Sequence, residues 1–155
     1  MTDPLNQPKI DTWLLRLQES GYRLTGSRRV IVEILIDSPR ILNPTQIYDL
    51  ARQRDPSIGL VTIYRTLVKL EELDLVQRVH QPGNCHAYIA AETGHLHLLI
   101  CQNCGRAEFF DGDTLDGLMA QVESNSGFRI GEHWLQFFGI CQACQPIPVR
   151  DPVYA

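Results

Sequence analysis

Apolar positions in the first half of the chain recur at helical spacing. Ile10, Trp13, Leu14 and Leu17 share one face of residues 9–20, and Gly21 ends the run. A second helix is expected from a cap at Thr25 or Ser27, through the apolar run 30–36, to Ser38-Pro39. A third follows Asn43-Pro44, where proline sits in the tolerated first turn, and carries Ile47, Tyr48 and Leu50. After the Asp55-Pro56-Ser57 loop, a fourth helix spans residues 60–70. The pattern then changes. Residues 75–79 and 86–90 read as strands across a Gln81-Pro82-Gly83-Asn84 turn, which makes a β-hairpin.

Short helices closed by a hairpin describe a winged helix-turn-helix, with a plain helical bundle as the alternative that periodicity leaves open. On the fourth helix Thr62, Arg65, Thr66 and Lys69 repeat at i, i+3, i+4 and i+7, opposite Val61, Leu67, Val68 and Leu70. Tyr64 flanks that polar face. Cations, hydroxyls and a phenol suit a major groove, where they meet phosphates and base edges, and they equally suit plain solvent.

Beyond the hairpin, residues 96–100, 106–110 and 130–138 are expected as strands. Leu115, Leu118, Met119 and Val122 form a helical stripe before the last of them. This β-β-α-β unit of about 60 residues is small enough to need a staple besides its core. The expected class is α+β, divided into a winged-helix domain at 1–84, a second domain at 85–145 and a tail at 146–155.

The charge is uneven. Residues 1–84 hold eleven basic and ten acidic side chains, and residues 85–155 hold three and eight, within a net charge of −4. Either the solvated faces merely differ in sign, or the first half tolerates a polyanion and the second attracts cations; charge alone does not choose between the two. No apolar run is long enough to span a membrane. The start, Met-Thr-Asp-Pro-Leu-Asn, lacks the basic and apolar regions of a secretory signal, so a cytoplasmic protein with reduced thiols is expected.

That expectation gives the cysteines their meaning. Cys101/Cys104 and Cys141/Cys144 form two Cys-x-x-Cys pairs, and Gly105 lets the first turn back beneath a metal. Four thiolates close a tetrahedral zinc shell, which makes this zinc structural, with two disulfides as the minority reading. His95 and His97 lie two apart on a strand and share a face. With His133 on the last strand and Asp116 early in the helix, they can offer three imidazoles and a carboxylate to zinc, ferrous iron or manganese, although His133 taken singly reads as a hydrogen-bonded residue on a half-buried strand.

These residues resemble the ferric uptake regulator family of metal-responsive transcription factors, including its zinc uptake regulators. The resemblance rests on Gly21-Tyr22-Arg23-Leu24-Thr25 with Arg28, on the run 59–67, and on Gly94-His95-Leu96-His97 before Ile100-Cys101. His133 and Cys141/Cys144 complete it, over nearly the whole chain. It implies a homodimer whose C-terminal domain dimerises, binding double-stranded DNA at a pseudo-palindromic operator and repressing genes of metal homeostasis. It implies that Tyr64 and Arg65 lie on the recognition helix and that Arg23 and Arg28 contact the DNA backbone. It also implies one structural zinc on the four cysteines and a regulatory ion, Zn2+ or Fe2+ with Mn2+ as a further candidate, at His95, His97, Asp116 and His133. Leu96 and Leu98 stand where many members carry hinge ligands. His80, Cys85, His86, Glu92 and Glu108 are the available substitutes, and a cysteine among them favours zinc.

The competing classes are a peroxide sensor of the same fold, a zinc-dependent hydrolase and a zinc-ribbon scaffold. The hydrolase is disfavoured because the chain lacks the metalloprotease His-Glu-x-x-His and the deaminase Pro-Cys-x-x-Cys signatures.

Overall fold

The computed structural model describes residues 4–80, 86–94, 96–111, 115–131, 133 and 135–145. The chain forms two compact units, residues 1–96 and 97–155.

The first unit opens with a short 3-10 turn, Pro4–Asn6, that leads into α1 (Gln7–Glu19), α2 (Gly26–Asp37), α3 (Pro44–Arg54) and α4 (Leu60–Glu72). The starts of α2 and α3 are chemically specified. Thr25 caps α2 by accepting from the Arg28 amide at 3.3 Å. Asn43 and Gln46 form a reciprocal capping box on α3, each side chain bonded to the other's backbone amide, with Pro44 in the first turn. Asp74, in the left-handed conformation at φ 52°, ends α4 and turns the chain into a strand.

Strands β1 (Val76–His80) and β2 (His86–Ala90) pair antiparallel, from Val76 opposite Ala90 to His80 opposite His86. Leu42 and Tyr88 exchange backbone bonds of 2.9 and 2.8 Å, so the α2–α3 connection edges the hairpin. A division after residue 84 would cut β2 from its partner; the compact unit runs to residue 96 because this register holds both strands. Helices and hairpin enclose one apolar core that includes Ile10, Leu17, Ile31, Leu35, Ile63 and Leu70. Four helices with a two-stranded wing make a winged helix-turn-helix.

In the second unit the sheet order is β4-β3-β5, from β3 (Leu96–Cys101), β4 (Ala107–Asp111) and β5 (Gln136–Gly139). Strand β3 starts at the unit boundary, and it pairs parallel with β5 over Leu98–Cys101 and Gln136–Gly139. Helix α5 (Asp116–Ser126) lies between β4 and β5 in sequence, and it ends at Gly127, which adopts φ 73°. The β-β-α-β order matches the expectation from the sequence, but the last strand is shorter. It begins at Gln136, so His133 lies in the irregular approach to β5 and not within the strand.

Candidate functional site

The four cysteines of the two knuckles converge at the end of β3. Cys101 is the last residue of that strand, and Gly105, at φ 73°, donates to the Cys101 carbonyl at 2.9 Å to close the turn. A 3-10 turn, Gln142–Cys144, brings back the second pair, with the Cys144 amide on the Cys141 carbonyl at 2.8 Å. All four sulfurs lie within 4.8 Å of one another, and Cys104 and Cys141 are 3.8 Å apart. A disulfide holds its sulfurs at about 2.05 Å, so that pair is not oxidised. A tetrahedral zinc with bonds of about 2.3 Å sets its sulfurs about 3.8 Å apart, and the cysteines fit it.

Their protonation agrees with a cation site. Backbone amides of Cys141, Cys104 and Asn103 point at the Cys101 sulfur and pull its thiol down to about 6. Hydrogen bonds shared with Cys141 and Cys104 push Cys144 up to about 12. One thiolate therefore stands ready at neutral pH, and a thiol beside it keeps its proton until a cation displaces it.

Among the other expected ligands, His97 is buried on β3, with its ring 5.1 Å from that of His133 and 5.6 Å from Phe110. Phe110 in turn stacks on Phe137, a contact that no sequence pattern announced. Asp116, at the exposed first turn of α5, joins no described group of three or more ligands. His95 and Cys85 lie outside the described residues. His80 and His86 meet as a cross-strand pair at the end of the wing, rings 5.3 Å apart. The Glu92 carboxylate is held by Lys9 at 2.6 Å, and Glu108 in the second unit is held by Arg106 at 2.6 Å.

The face of α4 is phased differently from the expectation. Ile63, Thr66, Leu67 and Leu70 are buried, and the Thr66 hydroxyl donates to the Thr62 carbonyl at 2.8 Å. Leu60, Val61, Tyr64, Arg65, Val68 and Glu72 are exposed. Core packing at 63, 67 and 70 fixes this rotation and carries Thr66 inward despite its hydroxyl. Lys69 sits with its ammonium 4.7 Å from the centre of the Tyr22 ring and 3.0 Å from Glu72. The Tyr22 hydroxyl also reaches Glu72 at 3.0 Å. Tyr22 and then Glu72 hold the Lys69 ammonium above its ordinary pKa. Arg23 is exposed beside this cluster in sequence, and its carbonyl accepts from the Arg28 guanidinium, which places Arg28 at the start of α2.

Residues 19–138 match the model of the family described as "Ferric uptake regulator family". The ferric uptake regulation protein of Bacillus subtilis is 32% identical over 140 residues, covering 88% of this chain and 94% of that protein. The peroxide operon regulator of the same organism is 29% identical, over 83% of this chain and 88% of that protein. A solved zinc uptake regulator complexed with zinc and DNA shares the fold at a TM-score of 0.70 and 20% identity, covering 92% of this chain and 96% of that one. The family match over most of the length, joined to a four-cysteine cluster that follows a winged helix in sequence, decides the matter: the chain belongs to the ferric uptake regulator family of metal-responsive transcriptional regulators.

Proposed function

We propose that this chain is a dimeric repressor that binds a pseudo-palindromic operator when a divalent metal is bound, and so controls genes of zinc or iron homeostasis. The observation that carries the reading is the separation of tasks along one chain. A four-cysteine centre suits a permanent zinc, and a second pair of imidazoles, His97 and His133, lies apart from those thiolates. A saturated thiolate shell has no open position to report metal supply, whereas nitrogen and oxygen ligands exchange more readily. When zinc is bound to the cysteines it supplies no chemistry beyond cross-linking β3 to the C-terminal turn. His97, His133 and, by the family resemblance, His95 and Asp116 would hold the regulatory ion.

Dimerisation is supported by apolar surface in the second unit. Leu118 and Val122 on α5, and Phe137 and Phe138 on β5, are all exposed in the single chain. A homodimer of winged helices reads two half-sites about one turn, or 34 Å, apart, which is why the operator should be pseudo-palindromic. Arg65 and Tyr64, outward on α4, are the candidate base readers, and Arg23 and Arg28 the candidate phosphate contacts.

Regulation then requires the ion to bind the DNA-competent arrangement more tightly than the others, and a tenfold gain in affinity corresponds to about 1.4 kcal/mol. The test is a gel shift against the chain's own promoter region, with zinc, ferrous iron and manganese added in turn to protein that keeps its tightly held zinc. One ion should tighten binding at least tenfold. Equal affinity with and without every ion would overturn the sensing role.

Similarity to a peroxide operon regulator supports a second reading, in which iron-catalysed oxidation of a ligand histidine releases DNA. Its signature is an oxygen adduct on a ligand histidine, such as His97 or His133, after peroxide treatment of the iron-loaded protein, read by peptide mass spectrometry.

A further inference from the structure

The outward side of α4 is more apolar than a solvated helix needs. Val61 is 63% exposed, Tyr64 49% and Val68 46%, with Leu60 at 41% beside them. By contrast α1 exposes one large apolar side chain, Leu15, and α3 one, Leu50. Single exposed valines are ordinary. A row at 61, 64 and 68 differs, because the spacing i, i+3, i+7 puts all three on one continuous helical strip. The cation on that strip is Arg65, which argues for a polyanion as its partner.

We infer that Val61 is a specificity-determining residue that reads the C5 methyl of a thymine in the major groove. The inference rests on the DNA-binding reading above and adds the base it selects. Among base-pair edges in the major groove, the thymine methyl is the apolar group, and an exposed aliphatic side chain matches it. Val61 is the second residue of α4, and the N-terminal residues of a recognition helix are those that reach base edges. Val68 is two turns further along, about 10 Å, and so lies away from the N-terminal residues that reach base edges. A β-branched side chain in a helix holds essentially one rotamer, so little freedom is lost when Val61 packs against a methyl. Its exposure also means that folding does not depend on it.

The experiment uses the full-length, metal-loaded protein. A preferred duplex is selected from random DNA, and each thymine is then replaced singly by deoxyuridine, which removes the methyl and nothing else. For the wild type, one thymine per half-site should show about fourfold weaker binding when replaced, the factor that burial of one methyl yields. In Val61→Ala that loss should vanish, while Val68→Ala should keep it; circular dichroism confirms that both variants fold as the wild type does. An undiminished uracil effect in Val61→Ala overturns the assignment and passes it to another residue. A flat uracil series, as expected if the strip docks a protein, also overturns it while leaving DNA binding intact. Failure to select any sequence overturns the DNA-binding reading, and the assignment with it.

Discussion

Arg65 and Thr66 are neighbours in sequence and face opposite environments. Arg65 is exposed, and Thr66 is 1% exposed with its hydroxyl returned to the Thr62 carbonyl. Replacing Arg65 with alanine should weaken operator binding by about 1–3 kcal/mol, roughly tenfold or more, with folding unchanged. Thr66→Val keeps the shape and removes a hydroxyl bonded only within its own helix, so it should shift stability by no more than about 1 kcal/mol and leave DNA affinity as it was. Fluorescence anisotropy and urea melts measure the two effects. Equal loss of DNA binding in both variants would refute the rotation of α4 described above. The sequence already carried the information for that rotation, since Ile63, Leu67 and Leu70 repeat at i, i+4 and i+7. The hydroxyl of Thr66 masked it, because a threonine that satisfies itself against its own backbone can be buried like a valine. The knuckle cysteines were legible for the opposite reason: their spacing encodes chemistry directly and needs no helical phase.

At the scale of elements, what could be read was set by local chemistry. Helix α3 is legible from Asn43-Pro44, because the cap and the first-turn proline act within four residues. Asn43→Ala removes the acceptor for the Gln46 amide and should cost about 1 kcal/mol, seen as a lower urea midpoint with unchanged slope. Gln46→Ala removes the weaker return bond to the Asn43 amide, at an exposed position, and should cost less. An equal cost for both would mean that the box acts as a single unit. Alternation alone over-extends β5, because the length of that strand is set by its partner. Strand β3 ends at Cys101, where the chain enters the knuckle, and the parallel register leaves pairing for Gln136–Gly139 alone. A residue such as His133 then falls in an irregular approach that alternation cannot distinguish from strand.

At the scale of the whole chain, the two units are held together by different means. The buried core of the first runs from Ile10 to Ala90 and draws on every helix and both wing strands. Among the described residues of the second, only His97, Leu98, Ile100 and Cys101 are buried, and α5 buries none. Two aliphatic side chains contribute about 3–6 kcal/mol on burial, whereas a structural zinc contributes about 10–16 kcal/mol. Within a single chain, zinc on the four cysteines therefore contributes more to the stability of the second unit than its buried aliphatic side chains do. Chelation should melt residues 97–145 while the first unit stays helical, with proteolysis confined to the second unit and most of the far-ultraviolet helix signal retained. Loss of all helix in one cooperative step would show that the first unit depends on the metal as well. Restoring zinc should also release protons. Cys101, with its pKa near 6, is a thiolate at pH 7 and brings no proton for the metal to displace, whereas Cys144, pushed up to about 12, must give one up. Below pH 6 Cys101 too is protonated, so the release rises by about one proton per ion and affinity falls as that proton competes with the metal. Calorimetry in buffers of different ionisation enthalpy counts those protons. A release that rises by about one proton per ion on acidification from pH 7 requires one sulfur to be ionised before the metal arrives, whereas an equal release at both pH values would show that the amides around Cys101 do not hold its thiolate.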